Sequence, residues 1–168
     1  MALAQALLAA GLDVVVRPHP LFFLDRAPVL EAIRALEQRE PGLRLESPFT
    51  GDGAIFDADV LVGDYSGISF EFAALRGRPV VSVDVGLKVA NPAWQDLGLD
   101  PVEIACRSRI GTVVAPVVDE IVDAVRRAAD DGAGVQPQAL AHFMHGRPGD
   151  CAERAAARIQ ELLTLDKA

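Results

Sequence analysis

The sequence predicts an α/β fold: a Rossmann-like three-layer sandwich around a mostly parallel sheet. Three observations carry this. The short apolar runs Val14-Val15-Val16, Val60-Leu61-Val62 and Val80-Val81 show no polar alternation and suit strands covered on both faces. Around them lie stretches with apolar residues at helical spacing, clearest at Val118, Ile121, Val122 and Val125. Gly, Pro, Ser and Asp mark the junctions, so strands and helices alternate as in βαβ units. At 168 residues the chain predicts one domain, 1–168, and 51% hydrophobic residues suffice for a core.

Residues 1–10 are Ala/Leu-rich and predict a first helix ending at Gly11. They share the apolar character of a secretory leader, but no Lys or Arg precedes Arg17 and the run is too short to span a bilayer. A strand follows over 13–17, stopped by Pro18-His19-Pro20, because proline cannot donate to a ladder. Residues 21–26 read as a loop. A helix over 28–39 takes Pro28 in its first turn, turns Val29, Ile33 and Leu36 inward and stops at Pro41-Gly42. Leu43 to Glu46 is a short strand, 47–53 a loop and 54–57 one helical turn.

The strand Val60–Val62 then meets a polar hinge, Gly63-Asp64-Tyr65-Ser66-Gly67, with Ser66 as helix cap and Ile68, Phe72 and Leu75 facing inward. Arg76-Gly77-Arg78 connects to a buried strand over 79–83. Between 84 and 110 the pattern is irregular: Asn91-Pro92 marks a turn, Trp94 packs locally, and 102–107 fits a short helix or an edge strand. Gly111 to Val114 is the last strand, followed by an amphipathic helix ending at Asp131-Gly132. A Gly/Pro/Gln-rich linker over 132–138 leads to a C-terminal helical segment, 139–168, whose final helix starts at an Asp150 cap and carries Ile159 and Leu163.

Net charge is −8, spread as −5 over residues 1–84 and −3 over 85–168. Neither half is basic and no Lys/Arg run occurs, which argues against nucleic acid as a partner and against attraction to anionic lipid. Cys106 and Cys151 do not make a disulfide framework and read as reduced thiols in a cytoplasmic protein.

Ligands of parallel sheets bind beyond the carboxyl ends of the strands. Two polar clusters fall there, Arg17-Pro18-His19-Pro20 and Asp64-Tyr65-Ser66-Gly67. His19, held between prolines, can donate to a phosphate oxygen or act as an acid toward a leaving group; the plainer role is ordering its loop through a neighbouring carbonyl. Arg17 can bind phosphate or form an ion pair. Ser66, Gly67 and Ser69 offer hydroxyl and backbone N–H donors at a helix start, where the dipole favours an anion; simple capping needs only Ser66. Glu71 suits a ribose diol or a solvated helix face, and Asp64 can orient Ser or His or simply end the strand. Asp57-Ala58-Asp59 spells a metal-binding pattern but precedes its strand, at the wrong end of the sheet, and reads as structural. His142 and His145 lack a third ligand for a metal, though they can line a cleft. No metal and no cofactor is expected, and no P-loop, Gly-x-Gly-x-x-Gly or nucleophile elbow occurs.

Together, Val14-Val15-Val16-Arg17-Pro18-His19-Pro20 and the stretch from Ala58 to Ala73 resemble the CDP-glycerol glycerophosphotransferase family, the teichoic-acid primases and polymerases of the cell envelope. That family carries Arg-x-His-Pro after one strand. Later comes an aspartate-started strand ending Thr-Asp-Tyr-Ser-Ser, then a helix with Phe-Asp-Tyr-Ala. Arg78-Pro79-Val80-Val81 is similar to its next strand, and the segment from His145 to Arg154 to its C-terminal Gly-Lys-Ala-Ser-Glu-Arg pattern. The similarity spans residues 13–83 and is thin over 84–140.

The resemblance implies the C-terminal, donor-binding half of a two-domain glycosyltransferase-B architecture. It implies that His19 meets the donor diphosphate, that Asp64, Ser66 and Gly67 form the phosphate-facing helix start, and that Glu71 serves the ribose. The reaction implied is displacement at the glycerol-bearing phosphorus by an acceptor hydroxyl, with CMP leaving. The expected partners are CDP-glycerol or a related donor (CDP-ribitol, a UDP-sugar), and an N-terminal acceptor domain or a partner chain. The expected location is cytoplasmic, peripheral at the inner membrane face in a full-length protein.

The chain departs from the pattern at Gly67, where the family has a second Ser, and after Asp84, where an arginine- and aromatic-rich segment is not evident. The family's strand order, 3-2-1-4-5-6, also places a strand before the helix at residues 1–10. Without it, an apolar seam opens or two strands find a new pairing. The expectation is a fragment that cannot catalyse transfer alone. Two other readings stand beside this one: a non-catalytic nucleotide-binding or interaction domain, and a half resembling UDP-N-acetylglucosamine 2-epimerases. The epimerases carry a second Glu where this chain has Phe72.

Overall fold

Five strands of three or four residues, every pairing parallel, make the sheet layer of a computed structural model that describes residues 1–168 except 26, 48, 50–52, 87–90, 99, 133, 142, 144–148 and 166–168. β1 (Val14–Val16) pairs with β2 (Leu43–Leu45), Val14 opposite Leu43. β3 (Leu61–Gly63), β4 (Val80–Val83) and β5 (Gly111–Val114) form a second sheet in that order, with Gly63 opposite Ser82 and Val80 opposite Gly111. The apolar runs thus become strands, and the Rossmann-like α/β reading holds.

β1 and β3 belong to separate sheets, which leaves a break in the sheet layer. No new pairing closes the gap among the described residues. β4 has a neighbour on each side, and its Val80, Val81 and Ser82 are fully buried. The strands beside the break have one neighbour each: β3 is only half-buried, and Val15 of β1 is 38% exposed.

Alternation along β4 assigns the faces. Val81 joins a core with Leu7, Ile121, Ala124 and Val125, from α1 (Ala2–Ala9) and α8 (Val118–Asp131). Val14, Val60 and Val62 pack against that core, so helices rather than a ladder join the two sheets. Arg126 reinforces the junction by donating to the Ala10 carbonyl at 3.0 Å. On the other face Val80 meets Phe72 and Ala73 of α5 (Gly67–Arg76), with Cys106, Ile110 and Leu140. Helices on both faces of one sheet make the three layers.

Several elements differ from expectation. Residues 22–25 form a short helix, α2 (Phe22–Asp25), rather than a loop. Phe22 and Phe23 donate backward to the His19 and Pro20 carbonyls, and Phe23 packs edge-on against Phe49 with ring centroids 5.8 Å apart. In α3 (Ala27–Glu37), Leu30 and Leu36 are buried while Val29 is exposed. The turn at 53–57 forms as α4 (Gly53–Asp57). α5 buries Ser69, Phe72 and Ala73 and leaves Leu75 in solvent, a face rotated from the one expected.

The ambiguous 102–107 stretch resolves as α6 (Val102–Ala105) running into α7 (Arg107–Ile110). Cys106 and Ile110, four apart, share the buried face. A short α9 (Pro137–Ala141) follows the linker, and the linker is tied down by Val135 N–H donating to the Gly77 carbonyl at 2.7 Å. The last helix, α10 (Cys151–Leu165), forms as expected, but Ile159, Leu162 and Leu163 face solvent.

Candidate functional site at the carboxyl ends of β3 and β4

β3 ends at Gly63, Asp64 to Ser66 turn the chain, and Gly67 opens α5. Ser66 holds the cap position in extended backbone (φ −148°, ψ 137°), yet its hydroxyl makes no capping bond. The first-turn amides of α5 therefore lack the side-chain acceptor that a cap supplies. Two hydroxyls lie just beneath. Ser69 is 4% exposed and Ser82 fully buried, and neither Oγ has a hydrogen-bond partner. Gly63 makes room for them: a Cβ there would come within 3.2 Å of Ser69 Oγ, and Gly63 is paired in register with Ser82. A buried hydroxyl without a partner costs roughly 1–3 kcal/mol, so this pair is an unusual feature of the core.

Three side chains converge above this floor. Tyr65 Oη donates to Asp84 Oδ1 at 2.9 Å, and Asp84 directly follows β4. Arg107 Nη1 lies 3.5 Å from the same oxygen, with its guanidinium carbon 4.5 Å from the centre of the Tyr65 ring. The Arg107 side chain is 11% exposed, and its Nε is buried without a partner. Donation from Tyr65, aided by the Arg107 charge, holds the Asp84 carboxyl below the usual carboxylate range. Desolvation and the Asp84 carboxylate push the Tyr65 phenol up.

Searches of protein-family models, curated proteins and solved structures found no match to this chain. The chemistry of the site rests on its own geometry.

The cluster after β1 is organised differently. Arg17 Nη1 meets Glu46 Oε1 at 2.9 Å. Glu46 also receives the Ala54 N–H at 3.1 Å and lies 3.6 Å from Arg44, so Arg17 takes the ion-pair role. His19 is exposed, and its Nδ1 accepts from the Leu21 N–H at 3.2 Å. The loop-ordering role is thus present, through an amide rather than a carbonyl. In the neutral ring this bond places the proton on Nε2, leaving a donor for a ligand.

Asp64 is half-buried, while Gly67 and Glu71 are exposed. Asp59 pairs with Arg78 at 3.2 Å beside the starts of β3 and β4, the structural role expected. His142 and His145 lie outside the described residues, among which no group of three His, Cys, Asp or Glu could hold a metal. No helix among the described residues is long and apolar enough to cross a membrane. An open depression of about 240 Å³, lined by Phe23, Arg34, Glu37, Gln38, Leu45 and Ser47, includes none of the predicted site residues.

The sequence pattern does not single out Tyr65, Asp84 or Arg107 as functional groups. Tyr65 and Asp84 each follow a strand, so their place at the carboxyl edge was a usable signal. Arg107 gave none, because it lies in the stretch whose elements the pattern did not order.

Proposed function

We propose that the chain is the donor-binding domain of a transferase moving glycerol phosphate from CDP-glycerol, or a close nucleotide-activated relative, to an acceptor hydroxyl. The observation that carries this reading is the uncapped start of α5 at the carboxyl end of β3, beside a mostly buried arginine. In the proposed complex the donor diphosphate lies against the Ser66, Gly67 and Ser69 region. Glu71, exposed one turn along α5, accepts from the ribose. His19 donates Nε2–H to a diphosphate oxygen, and Asp64 orients the groups around it.

The reaction is displacement at the glycerol-bearing phosphorus. The acceptor oxygen forms the new P–O bond, the bond to the CMP phosphate oxygen breaks, and the acceptor proton passes to a base. Hydrogen-bond donors that spread charge on the leaving CMP lower the barrier. The acceptor groups belong to a second domain or a partner chain, and the work takes place on the cytoplasmic side of the membrane. Alone, this chain binds donor without robust turnover.

Calorimetry with CDP-glycerol and a UDP-sugar tests the reading. CDP-glycerol should bind wild type, and His19→Ala should weaken it about tenfold, the worth of one charge-assisted hydrogen bond. Absence of binding by either nucleotide at millimolar concentration overturns it.

A further inference from the structure

We propose that Arg107 is an anion-binding residue of this site, held in reserve by Asp84 and handed to a phosphate or diphosphate group when one arrives. The inference rests on the reading that the α5 start receives phosphate, and it names the cation and the exchange that reading lacks.

Arg107 itself points to an anion, apart from the helix terminus. Arg107 is 11% exposed, yet its one described ion pair is long, 3.5 Å, and uses a single Nη. Its Nε is buried and unpaired. A guanidinium offers Nε and Nη as a planar fork suited to two oxygens of one oxyanion, and here half the fork is empty. The Tyr65 ring, 4.5 Å from the guanidinium carbon, keeps the group beside the β3–α5 turn. At the same turn, Ser69 in the first turn of α5 is 96% buried and has an unpartnered hydroxyl. The turn thus has beside it an arginine with an unpaired nitrogen, stacked on Tyr65, and in the first turn of α5 an unpaired serine hydroxyl, donors that an oxyanion can use.

Asp84 fits the part of a displaceable stand-in. Its side chain is half exposed, and Tyr65 donates to it at 2.9 Å, a bond that does not depend on Arg107. The carboxylate and the incoming anion compete for one cation, so removing the carboxylate strengthens anion binding. A purely structural Asp84–Arg107 pair predicts the opposite.

The test is titration of inorganic pyrophosphate, and separately of CDP, into wild type, Arg107→Gln, Arg107→Lys and Asp84→Asn, with thermal melts confirming folding. Arg107→Gln should weaken pyrophosphate about tenfold, and Arg107→Lys should recover only part of that, lacking the fork. Asp84→Asn should tighten it severalfold. If pyrophosphate binds Arg107→Gln within twofold of wild type, or Asp84→Asn weakens binding as Arg107→Gln does, the inference is overturned. CDP binding equally to wild type and Arg107→Gln sinks the inference while leaving the donor reading standing. Arg107-dependent pyrophosphate binding without any preference for CDP supports the inference and counts against that reading. Absence of binding by both ligands at ten millimolar, a concentration on the order of the weakest site worth naming, overturns the two together.

Discussion

Beyond β1 and β2, Arg17 and Glu46 sit 2.9 Å apart and Glu46 also takes the Ala54 amide. Beyond β3 and β4, the hydroxyls of Ser69 and Ser82 and the Nε of Arg107 are buried and unpaired. The two clusters, each beyond the carboxyl ends of its strands, use polar side chains toward different purposes. The first is a closed polar joint between neighbouring strands and the helix that follows. The second keeps polar atoms out of water without partners, a costly condition that folded proteins retain mostly where a ligand or ordered water completes the set. The strands beneath show a matching contrast: Val80, Val81 and Ser82 of β4 are fully buried between two neighbours, while among the described residues β1 and β3 each pair with one strand only.

The largest expected effect tests the three-stranded half. Gly111 is in extended backbone, and a Cβ added there would drive into the Val80 backbone, chiefly its carbonyl. Neither β4 nor β5 can yield without breaking their pairing, so Gly111→Ala should cost about 3 kcal/mol or more. The matching change in the other half, Gly42→Ala, meets the Asp13 carboxylate and a Leu8 methyl at 3.2 Å, with the Leu12 carbonyl at an ordinary 3.9 Å. Flexible side-chain ends move easily, so its cost should stay within about 1 kcal/mol. Urea unfolding of both variants measures the difference. Equal losses would show that the two sheets do not differ in rigidity as their burial implies.

This contrast also marks what the sequence could convey. The Val runs of β1, β3 and β4 were legible because the side chains that define the pattern are themselves the core. α8 was legible for the same reason, with Ile121 and Val125 inward as their spacing required. The orientation of α5 was not, because Ser69 faces inward where Leu75 was expected, and only the space left by Gly63 explains why a serine fits. Arg17 and His19 were found as residues at a strand end. Their partners Glu46 and the Leu21 amide depend on how β2 and α2 come back past them. Arg107 meets Tyr65 across 42 positions of sequence, a contact that no local pattern encodes.

A smaller effect sharpens the closed joint. Glu46→Ala removes one partner of Arg17 and the acceptor of the Ala54 N–H together. It should destabilise by roughly 1–2 kcal/mol, the worth of a part-buried charged hydrogen bond and an unsatisfied amide. Arg17→Ala removes only one of these links and should cost less. Both are read from the urea midpoint. If Arg17→Ala costs more than Glu46→Ala, Glu46 is not the centre of the joint and Arg17 has a heavier role at the β1 end.

The smallest effect separates the core of the three-stranded half from the exposed last helix by pH. Cys106 lies in the core between α6 and α7, and desolvation pushes its thiol above the ordinary value. A thiol whose folded pKa is raised contributes stability that is complete below the unfolded value, about 8.5. That stability is lost as pH rises toward the folded value, because the unfolded chain releases the proton first. Cys151 is exposed on α10. Unfolding midpoints at pH 7, 8 and 9 should therefore fall more steeply for wild type than for Cys106→Ala. A thiol reagent added to the native protein should modify Cys151 at once and reach Cys106 only on unfolding. Parallel pH profiles for wild type and Cys106→Ala, or prompt labelling of Cys106, would mean that the α6–α7 side of the core opens to water.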